Sequence, residues 1–308
     1  VIRNSEWSKW ERVMSPEGSP AGNVLTEPRP GHADLAGMMK YGFDDARNVL
    51  ERASARETAA RTSAGSLAKQ FLSQIGISIV SHVVSIGSAR ARAGTRPRPE
   101  DLEAVDSSPV RCFDREAEAE MIGQIEVAGE AGDSLGGVVE VLAYGVPPGL
   151  GSHVHWDRRL DSRLAQAVMS IQAIKGVEVG DGFEVATLRG SEAHDEIFYE
   201  GSGYVRRTDR AGGTEGGISI GGTIRVRAAM KPLSTLKRPL QTVDVNTKQQ
   251  VAAFKERTDV CSVPAAGVVA ESMVALVLAD AALEKFGGDT LTDILSALES
   301  YRARIDGR

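Results

Sequence analysis

The amino-acid sequence predicts an α+β fold in a single domain, because helical and strand periodicities alternate along its 308 residues. Apolar residues from Ala60 to Ile75 recur at helical spacing, and residues 77–83 then alternate between apolar and polar as a half-buried strand does. No GxGxxG follows a predicted strand, which argues against a dinucleotide-binding sheet. We therefore expect helices and strands around one core over residues 1–308.

Further along the chain the same periods predict two shorter helices, three strands and a long apolar helix. The helix at 160–171 is expected to end at Lys175 and Gly176, a cationic last turn followed by a C-cap. Residues 88–110, rich in Ala, Arg, Pro and Asp, predict an irregular surface excursion. In chain order the predicted elements are a helix at 116–127, a strand at 138–145, the helix at 160–171, strands at 183–188 and 223–230, and a helix at 268–286.

Bulk composition is that of a globular protein and argues against two classes of partner. The sequence is 42% hydrophobic and 25% charged, enough for a sizeable core. A formal net charge of −6 argues against general nucleic-acid binding, which needs a basic face. Since no uninterrupted apolar run reaches the roughly 18 residues of a membrane span, we expect no membrane partner.

The cysteines and the first residues of the sequence indicate in which compartment the protein works and whether the chain is part of a longer one. Cys112 and Cys261 are too few for a disulfide framework, so we expect reduced thiols in a cytoplasmic protein. The chain opens on Val1 and shows no apolar signal core. We therefore expect it to have been processed, trimmed or cut from a longer protein.

An anion site is predicted where the helix after residue 54 begins. Ser54 with Glu57 three residues on is a capping-box pattern. Arg52 and Arg56 flank this start, where their guanidiniums and free backbone N–H groups would suit a phosphate or carboxylate. The alternative is that nearby carboxylates neutralise both arginines in ordinary ion pairs.

Three other positions are candidates for proton transfer or ligand contact. His32 lies in a proline-stiffened loop, where it is either a proton-transfer group or a structural histidine. Lys231 opens a Lys-Pro-Leu-Ser-Thr run whose ammonium and hydroxyls would suit a phosphate or a flavin ring. Arg257 and Asp259 are either a surface salt bridge or a charged pair that enters a closed site.

Two further segments suggest a ligand but have simpler explanations. Residues 211–222 hold six glycines, which either let the backbone approach a flat ligand or simply form a hairpin loop. His153 and His155 could hold zinc with His194 or Asp195. Because this pattern is short and has no cysteine ligand nearby, we expect no metal.

Together and in this order, these segments resemble the chorismate synthase family. The resemblance extends over nearly the whole chain, and several stretches of six or more residues match in register. The stretches that carry it are residues 29–34 (RPGHAD), 40–42, 52–58 (RASARET), 160–162, 174–183 (IKGVEVGDGF), 194–196, 210–213, 216–219, 231–232, 257–259 and 263–266.

The resemblance implies a lyase that removes phosphate and a ring proton from 5-enolpyruvylshikimate 3-phosphate in a 1,4-anti elimination. The product is chorismate, at the last common step of the shikimate pathway. The resemblance also implies reduced FMN as cofactor, although the reaction has no net redox change. Beyond the chemistry it implies a single domain with helices sandwiched between antiparallel β-sheets, a homotetramer, and NADP as a possible source of electrons for the flavin.

Residue roles follow from the matching motifs. His32 resembles the histidine that supplies or shares a proton near the flavin N1, and Asp259 resembles the aspartate that helps return the proton from N5. Arg29, Arg56 and Arg257 are expected to meet the anionic groups of the substrate. The positions that match the family's FMN contacts are Arg52, Ala53, Ser54, Gln172, Ala173, Gly216, Lys231, Pro232, Leu233, Ser234, Thr235 and Arg257.

The chain also departs from the family pattern. It lacks the G-E-S-H-G segment, whose histidine protonates the departing phosphate, and the R-R-x-x-G-x-G-R stretch that binds substrate. Asp209 and Ile220 stand where asparagines are usual, and Asp209 is expected to add negative charge near an anionic cofactor. The alternative to an active enzyme is therefore a non-catalytic flavin- or phosphate-binding relative, or an inactive fragment without that N-terminal histidine.

Overall fold

Ten helices and eleven strands make up the part of the chain that this computed structural model describes, residues 1–3, 7–12, 15, 17, 24–201, 203–255 and 258–306. The helices are α1 (Trp7–Trp10), α2 (Asp34–Tyr41), α3 (Arg47–Ala53), α4 (Thr58–Gln74), α5 (Leu102–Asp106), α6 (Arg115–Ala131), α7 (Leu160–Met169), α8 (Gly190–Ala193), α9 (Val263–Phe286) and α10 (Leu291–Asp306). The strands are β1 (Ser78–Ile86), β2 (Ala89–Arg90), β3 (Gly137–Tyr144), β4 (Ile174–Val179), β5 (Ile197–Glu200), β6 (Gly203–Arg206), β7 (Thr214–Glu215), β8 (Ile218–Ser219), β9 (Ile224–Met230), β10 (Gln241–Val243) and β11 (Gln250–Ala252).

The main sheet has five antiparallel strands in the order β2-β1-β3-β9-β4. Its register puts Val83, Val139 and Ala228 side by side on one face. The next residues along the strands, such as Glu140 and Arg227, lie on the other face because side chains alternate along a strand. The sheet therefore has one apolar face and one face that carries charges.

Helix α9 covers the apolar face, and helix α4 packs on α9. A Cβ on Gly267 of α9 would lie 3.0 Å from the Ser81 hydroxyl, and a Cβ on Gly65 of α4 would lie 2.2 Å from the Ser272 Cβ. Helix α9 is long and apolar enough to cross a membrane by length and composition, but 67% of its most apolar part is buried inside the protein. It is the central helix of the hydrophobic core.

Because Gly65 has no room for a side chain, we expect Gly65→Ala to destabilise the protein by about 1–3 kcal/mol, the usual cost of overpacking. Gly123 in α6 is the matched control, since nothing lies within 4 Å of the Cβ position there. Gly123→Ala should instead stabilise by roughly 0.5–1 kcal/mol through helix propensity alone. Urea unfolding of both variants measures this, and equal effects would contradict the close helix contact.

On the charged face, a buried ion cluster surrounds Glu140. Its carboxylate accepts a hydrogen bond from Arg227 Nε at 2.7 Å and lies 3.3 Å from His82 Nε2, while Arg225 is fully buried 3.9 Å away. Burial by itself raises the pKa of the Glu140 carboxyl, but the His82 hydrogen bond and the Arg227 charge outweigh it and hold the pKa at about 2. The charge of Glu140 therefore stabilises the fold.

The stabilising contribution of Glu140 should depend on pH. Its folded-state pKa is depressed, so the contribution is complete above the ordinary carboxyl pKa and is lost as pH falls toward 2. We expect Glu140→Gln to destabilise the protein strongly at pH 7. The difference in the free energy of unfolding between wild type and variant should narrow by roughly 1 kcal/mol by pH 3.5. Glu100→Gln, which alters only the exposed 4.0 Å pair with Arg98, should show no such narrowing in urea unfolding.

The α+β class and the antiparallel strands are confirmed, while two local predictions are wrong. Lys175 and Gly176 do not close a helix, because α7 ends at Met169 and both residues lie in β4. Residues 183–188 are not a strand, because a 3₁₀ helix spans Gly182–Thr187. Gly182 has φ +52°, a left-handed conformation that turns the chain away from the sheet.

Residues 88–110 are mostly irregular but carry short elements that tie them to the fold. They contain β2, a 3₁₀ turn at Pro99–Asp101 and α5. The carbonyl of Pro97 accepts a 2.8 Å hydrogen bond from the Tyr144 hydroxyl, and Val105 is fully buried. This excursion therefore packs on the body of the protein.

Candidate functional site

A cavity of about 570 Å³ opens where the ends of several elements meet. Its walls come from α1, the loop before α2, the junction of α3 and α4, the turn after α7, the segment after β9 and the segment before α9. The lining residues are Trp10, Arg29, Gly31, His32, Ala33, Leu50, Glu51, Ala53, Ser54, Ala55, Arg56, Gln172, Ala173, Lys231, Pro232, Leu233, Ser234, Thr235, Thr258, Asp259 and Ser262.

Most of the site residues named from the sequence meet at this cavity, although they are up to 230 positions apart in the chain. Arg52 and Gly216 are not among the lining residues, and Arg257 lies outside the described residues. Arg52 is exposed in the last turn of α3, and Gly216 is exposed in the tight hairpin between β7 and β8. The residues that do line the cavity are His32, Asp259, Arg29, Arg56, Ala53, Ser54, Gln172, Ala173, Lys231, Pro232, Leu233, Ser234 and Thr235.

His32 is held by a buried ion pair. Its Nδ1 lies 2.5 Å from Asp34 Oδ1 and 3.0 Å from Arg29 Nη2. Asp34 is fully buried and accepts Arg29 Nε at 2.9 Å. Burial raises the pKa of the Asp34 carboxyl, but hydrogen bonds from His32 and Arg29 outweigh it and hold the pKa well below its usual range.

The junction of α3 and α4 places Ser54 and Arg56 on the cavity wall. Ser54 Oγ accepts from Arg56 N at 3.3 Å and caps a 3₁₀ turn, Ala55–Glu57, that precedes α4. The capping-box prediction is wrong in its second half, because the Glu57 side chain accepts from Arg61 Nε at 3.0 Å and from Gln172. Of the nearby carboxylates, Glu51 pairs with Arg47 at 3.7 Å, and the pKa of the Glu57 carboxyl is lowered by the Arg61 hydrogen bond and also by the charge of Arg52.

The turn after α7 also lines the cavity, next to the start of α4. The Gln172 amide donates to Glu57 Oε1, and its Oε1 is a buried acceptor with no hydrogen-bond partner among the described residues. Ala173 has φ +65°, an unusual conformation for a residue with a Cβ. Its carbonyl accepts Lys231 N at 3.0 Å, which joins this turn to the segment after β9.

The segment from Lys231 to Thr235 continues that wall. Lys231 Nζ donates to the Gly31 carbonyl, and Thr235 Oγ1 accepts Arg29 Nη1 at 2.9 Å. Both bonds bring this segment against the loop that carries His32. Two hydroxyls, an ammonium and an imidazole therefore share one side of the cavity.

Asp259 is an exposed carboxylate on the cavity wall just before α9. Its own carbonyl accepts the Thr258 hydroxyl at 3.1 Å. The charged groups on the lining are then Arg29, paired with Asp34, and Glu51, paired with Arg47, together with Arg56, Lys231 and Asp259. Such an arrangement can hold an anion beside a group that exchanges a proton.

Asp209, expected near the cofactor, belongs instead to the ion cluster on the charged face of the sheet. Its carboxylate accepts Arg96 Nη1 at 3.1 Å and lies 3.6 Å from Arg225 Nε. Burial raises the pKa of the Asp209 carboxyl, against the opposing effect of these two arginines. It is not among the residues that line the cavity.

The segment around His153 and His155 lies on the surface away from the cavity. His155 Nδ1 lies 2.7 Å from Asp157 Oδ1, and both side chains are more than half exposed. Within the described ranges, no group of three or more His, Cys, Asp or Glu residues could hold a metal ion.

Asp34, Glu57 and Trp10 are residues near the site that were not named as site residues from the sequence. Asp34 stands two residues after His32, so the short spacing was a signal for the pair. Glu57 and Arg61 are four apart on a helix, which favours an ion pair, but the bond to Gln172 spans 115 positions and has no local signal. Trp10 comes from α1, with Arg56 Cζ 5.9 Å from its ring centroid.

Comparisons with known proteins agree on one family. A family model described as chorismate synthase matches residues 1–283. A solved structure titled "Crystal Structure of Chorismate Synthase" superposes with a TM-score of 0.77 and 47% identity, and covers 90% of this chain and 77% of that chain.

Curated bacterial proteins named chorismate synthase are similar over nearly the full length of this chain. The protein of Leifsonia xyli subsp. xyli is 60% identical over 308 residues, which are 97% of this chain and 77% of the relative. That of Thermobifida fusca is 60% identical over 310 residues, 97% of this chain and 79% of the relative. That of Streptomyces coelicolor is 57% identical over 317 residues, 100% of this chain and 80% of the relative.

Proposed function

The chain belongs to the chorismate synthase family, and from this premise we propose that its cavity holds reduced FMN beside 5-enolpyruvylshikimate 3-phosphate and performs the 1,4-anti elimination to chorismate and phosphate. The protein functions as a lyase of this family. One observation carries the proposal for the site. A single cavity gathers His32, Asp259, Lys231 and Arg56 from four separate parts of the chain.

The residues around the cavity suit FMN in size and polarity. A volume of about 570 Å³ lies within the range of small-molecule and cofactor sites. A buried acceptor without a donor is costly, and a ring N–H of a flavin is a donor that would satisfy Gln172 Oε1. Lys231 and the hydroxyls of Ser54 and Thr235 would hold the phosphate of FMN.

When bound, reduced FMN supplies electron density to the substrate as the phosphate leaves. The chain's own residues bind, orient and exchange protons around that event. Arg56 compensates the negative charge of the substrate, which a protein of net charge −6 can do only through local cations. His32 Nε2 holds or gives a proton at the cavity. The exposed Asp259 carboxylate accepts the proton that the substrate ring loses.

The finer assignments rest on the same premise. We propose Arg29 as an indirect contributor to substrate binding, since its guanidinium is 7% exposed and is engaged by Asp34. Arg52, Gly216 and Arg257 remain proposed contacts of FMN or substrate. We also propose a homotetramer in the cytoplasm, with NADP as the electron source for the flavin. Both Cys112 and Cys261 are free thiols, as proteins of a reducing compartment have.

The function is tested by incubating a protein that carries this chain together with the family's G-E-S-H-G and R-R-x-x-G-x-G-R segments anaerobically with reduced FMN and the substrate. We expect chorismate and phosphate in equal amounts, no product with oxidised FMN, and about a hundredfold lower turnover in His32→Ala, the usual effect of losing a positioned proton donor. His153→Ala, an exposed histidine away from the cavity, is the control and should keep full turnover.

Two outcomes would overturn the assignment. Flavin binding without chorismate formation would favour the non-catalytic flavin- or phosphate-binding relative. Full turnover in His32→Ala, with an unchanged circular dichroism spectrum, would remove His32 from the chemistry.

Lys231 is expected to contribute directly to FMN affinity. Since a hydrogen bond to a charged group is worth about 1.5–3 kcal/mol, Lys231→Met should raise the Kd of FMN by roughly tenfold or more. Lys248→Met changes an exposed lysine in the turn between β10 and β11 and should leave the Kd unchanged. Flavin fluorescence titration measures both, and equal affinities would place Lys231 outside the cofactor site.

A further inference from the structure

We propose that Asp34 is a positioning residue for His32, which it holds with the proton on Nδ1 so that Nε2 is the atom that exchanges protons in the cavity. Arg29 acts as the clamp that holds Asp34 in place. The functional part of this inference rests on the role of His32 proposed above, whereas the tautomer itself depends only on the geometry of the three side chains.

The first step is that Asp34 is ionised. It is fully buried, yet it accepts Arg29 N at 3.1 Å, Arg29 Nε at 2.9 Å and Arg29 Nη2 at 3.2 Å. Three donors from a residue that is always charged favour the carboxylate over the neutral acid. The depressed pKa of the Asp34 carboxyl agrees with these hydrogen bonds.

The second step is that an ionised carboxylate decides the tautomer of His32. A carboxylate can only accept hydrogen bonds, so the imidazole nitrogen 2.5 Å from it must be the one that carries hydrogen. Arg29 Nη2, 3.0 Å from the same nitrogen, could donate only to a lone pair on Nδ1, but that tautomer would leave two acceptors, Nδ1 and the Asp34 oxygen, 2.5 Å apart. In the neutral ring, the lone pair therefore lies on Nε2.

The third step is that the clamp is rigid. Arg29 Nη1 donates to Thr235 Oγ1 at 2.9 Å, and its Cζ lies 4.8 Å from the Phe254 ring centroid. These contacts leave the guanidinium 7% exposed. The fork of Arg29 thus fixes both oxygens of Asp34, and its charge compensates the carboxylate that burial would otherwise disfavour.

The fourth step is that the backbone is built for this contact. Gly31 takes φ +77°, which turns the chain so that Arg29 and Asp34 meet across the loop. Asp34 is the first residue of α2, an eight-residue helix, where a negative side chain is stabilised by the helix dipole. The ion pair of Arg29 and Asp34 therefore forms without much unfavourable free energy from the local backbone.

The tautomer can be observed directly in the wild-type chain without flavin or substrate. Nitrogen NMR of protein labelled at its five histidines, recorded at alkaline pH, distinguishes a protonated ring nitrogen from one with a free lone pair. The His32 signals are those that disappear in His32→Gln. We expect protonated Nδ1 and unprotonated Nε2 at His32, and the opposite tautomer would overturn the proposal.

Asp34→Asn tests the consequence for catalysis. The asparagine amide can donate to Nδ1 and so permits the other tautomer, and in a serine-protease triad the same exchange lowers turnover about 10⁴-fold. We expect a 10²- to 10⁴-fold loss of kcat with KM changed less than about threefold, and a mixed or inverted tautomer in the spectrum. Normal kcat in a folded Asp34→Asn variant would overturn the positioning role.

Asp157→Asn is the matched control, because His155 and Asp157 repeat the spacing of His32 and Asp34. That second pair is 2.7 Å apart but exposed and away from the cavity, so the change should leave kcat unaltered. If Asp34→Asn does not fold, the wild-type spectrum alone still decides the tautomer. The expected tautomer, in a protein that also carries those two family segments but forms no chorismate, would contradict the proposed function and leave the geometric inference standing.

Discussion

The packing of α4 on α9 is the constraint on which the position of the cavity depends. Gly65 and Ser272 lie so close that the two helices have essentially no freedom to slide. The residues before α4 and the residues before α9 are both on the cavity wall, and the turn after α7 is joined to α4 by the contacts of Arg61 with Ser170 at 2.7 Å. A cavity made of loop ends thus gains its shape from a helix contact in the core.

The described residues form two separate groups of charges, one on the sheet and one at the cavity. On the charged face of the sheet, Glu140, Arg225 and Arg227 compensate one another inside the fold, and Asp209 joins them. At the cavity, Arg56 and Lys231 lie on the wall where an anion would bind. Burial and pairing confine the first group to a structural role, and the second gives the cavity wall local positive charge although the whole protein is acidic.

Periodicity predicted the elements that bury a continuous apolar stripe and failed where a single residue overrides the pattern. Helices α4, α6 and α9 and strands β1, β3 and β9 all lie close to the predicted ranges, since each packs an apolar face against the core. Lys175 and Gly176 imitate a helix end, but pairing of β4 with β9 places them in the sheet. At 183–188 the left-handed Gly182 decides the conformation, which composition does not reveal.

The sequence predicts many of the residues that line the cavity, but it does not predict the contacts between them. The motif resemblance named His32 and Lys231, yet nothing in the sequence joins Lys231 to the Gly31 carbonyl, 200 positions away. Glu57 illustrates the same limit, because its local pattern predicts a cap while its actual partners are Arg61 and Gln172. A long-range partner can win over a local cap, since both satisfy the same carboxylate.

The two His-x-Asp segments show why burial decides the value of such a pattern. Both pairs bring a carboxylate to Nδ1, at 2.5 Å for Asp34 and 2.7 Å for Asp157. Water competes with Asp157, whose side chain is 53% exposed, so a single hydrogen bond there contributes little to the orientation of His155. Asp34 has no contact with water and a guanidinium on its other side, so the energy of leaving it unpaired is large and the imidazole has one arrangement available. Identical spacing therefore yields a fixed imidazole on the cavity wall in one place and an ordinary surface pair in the other.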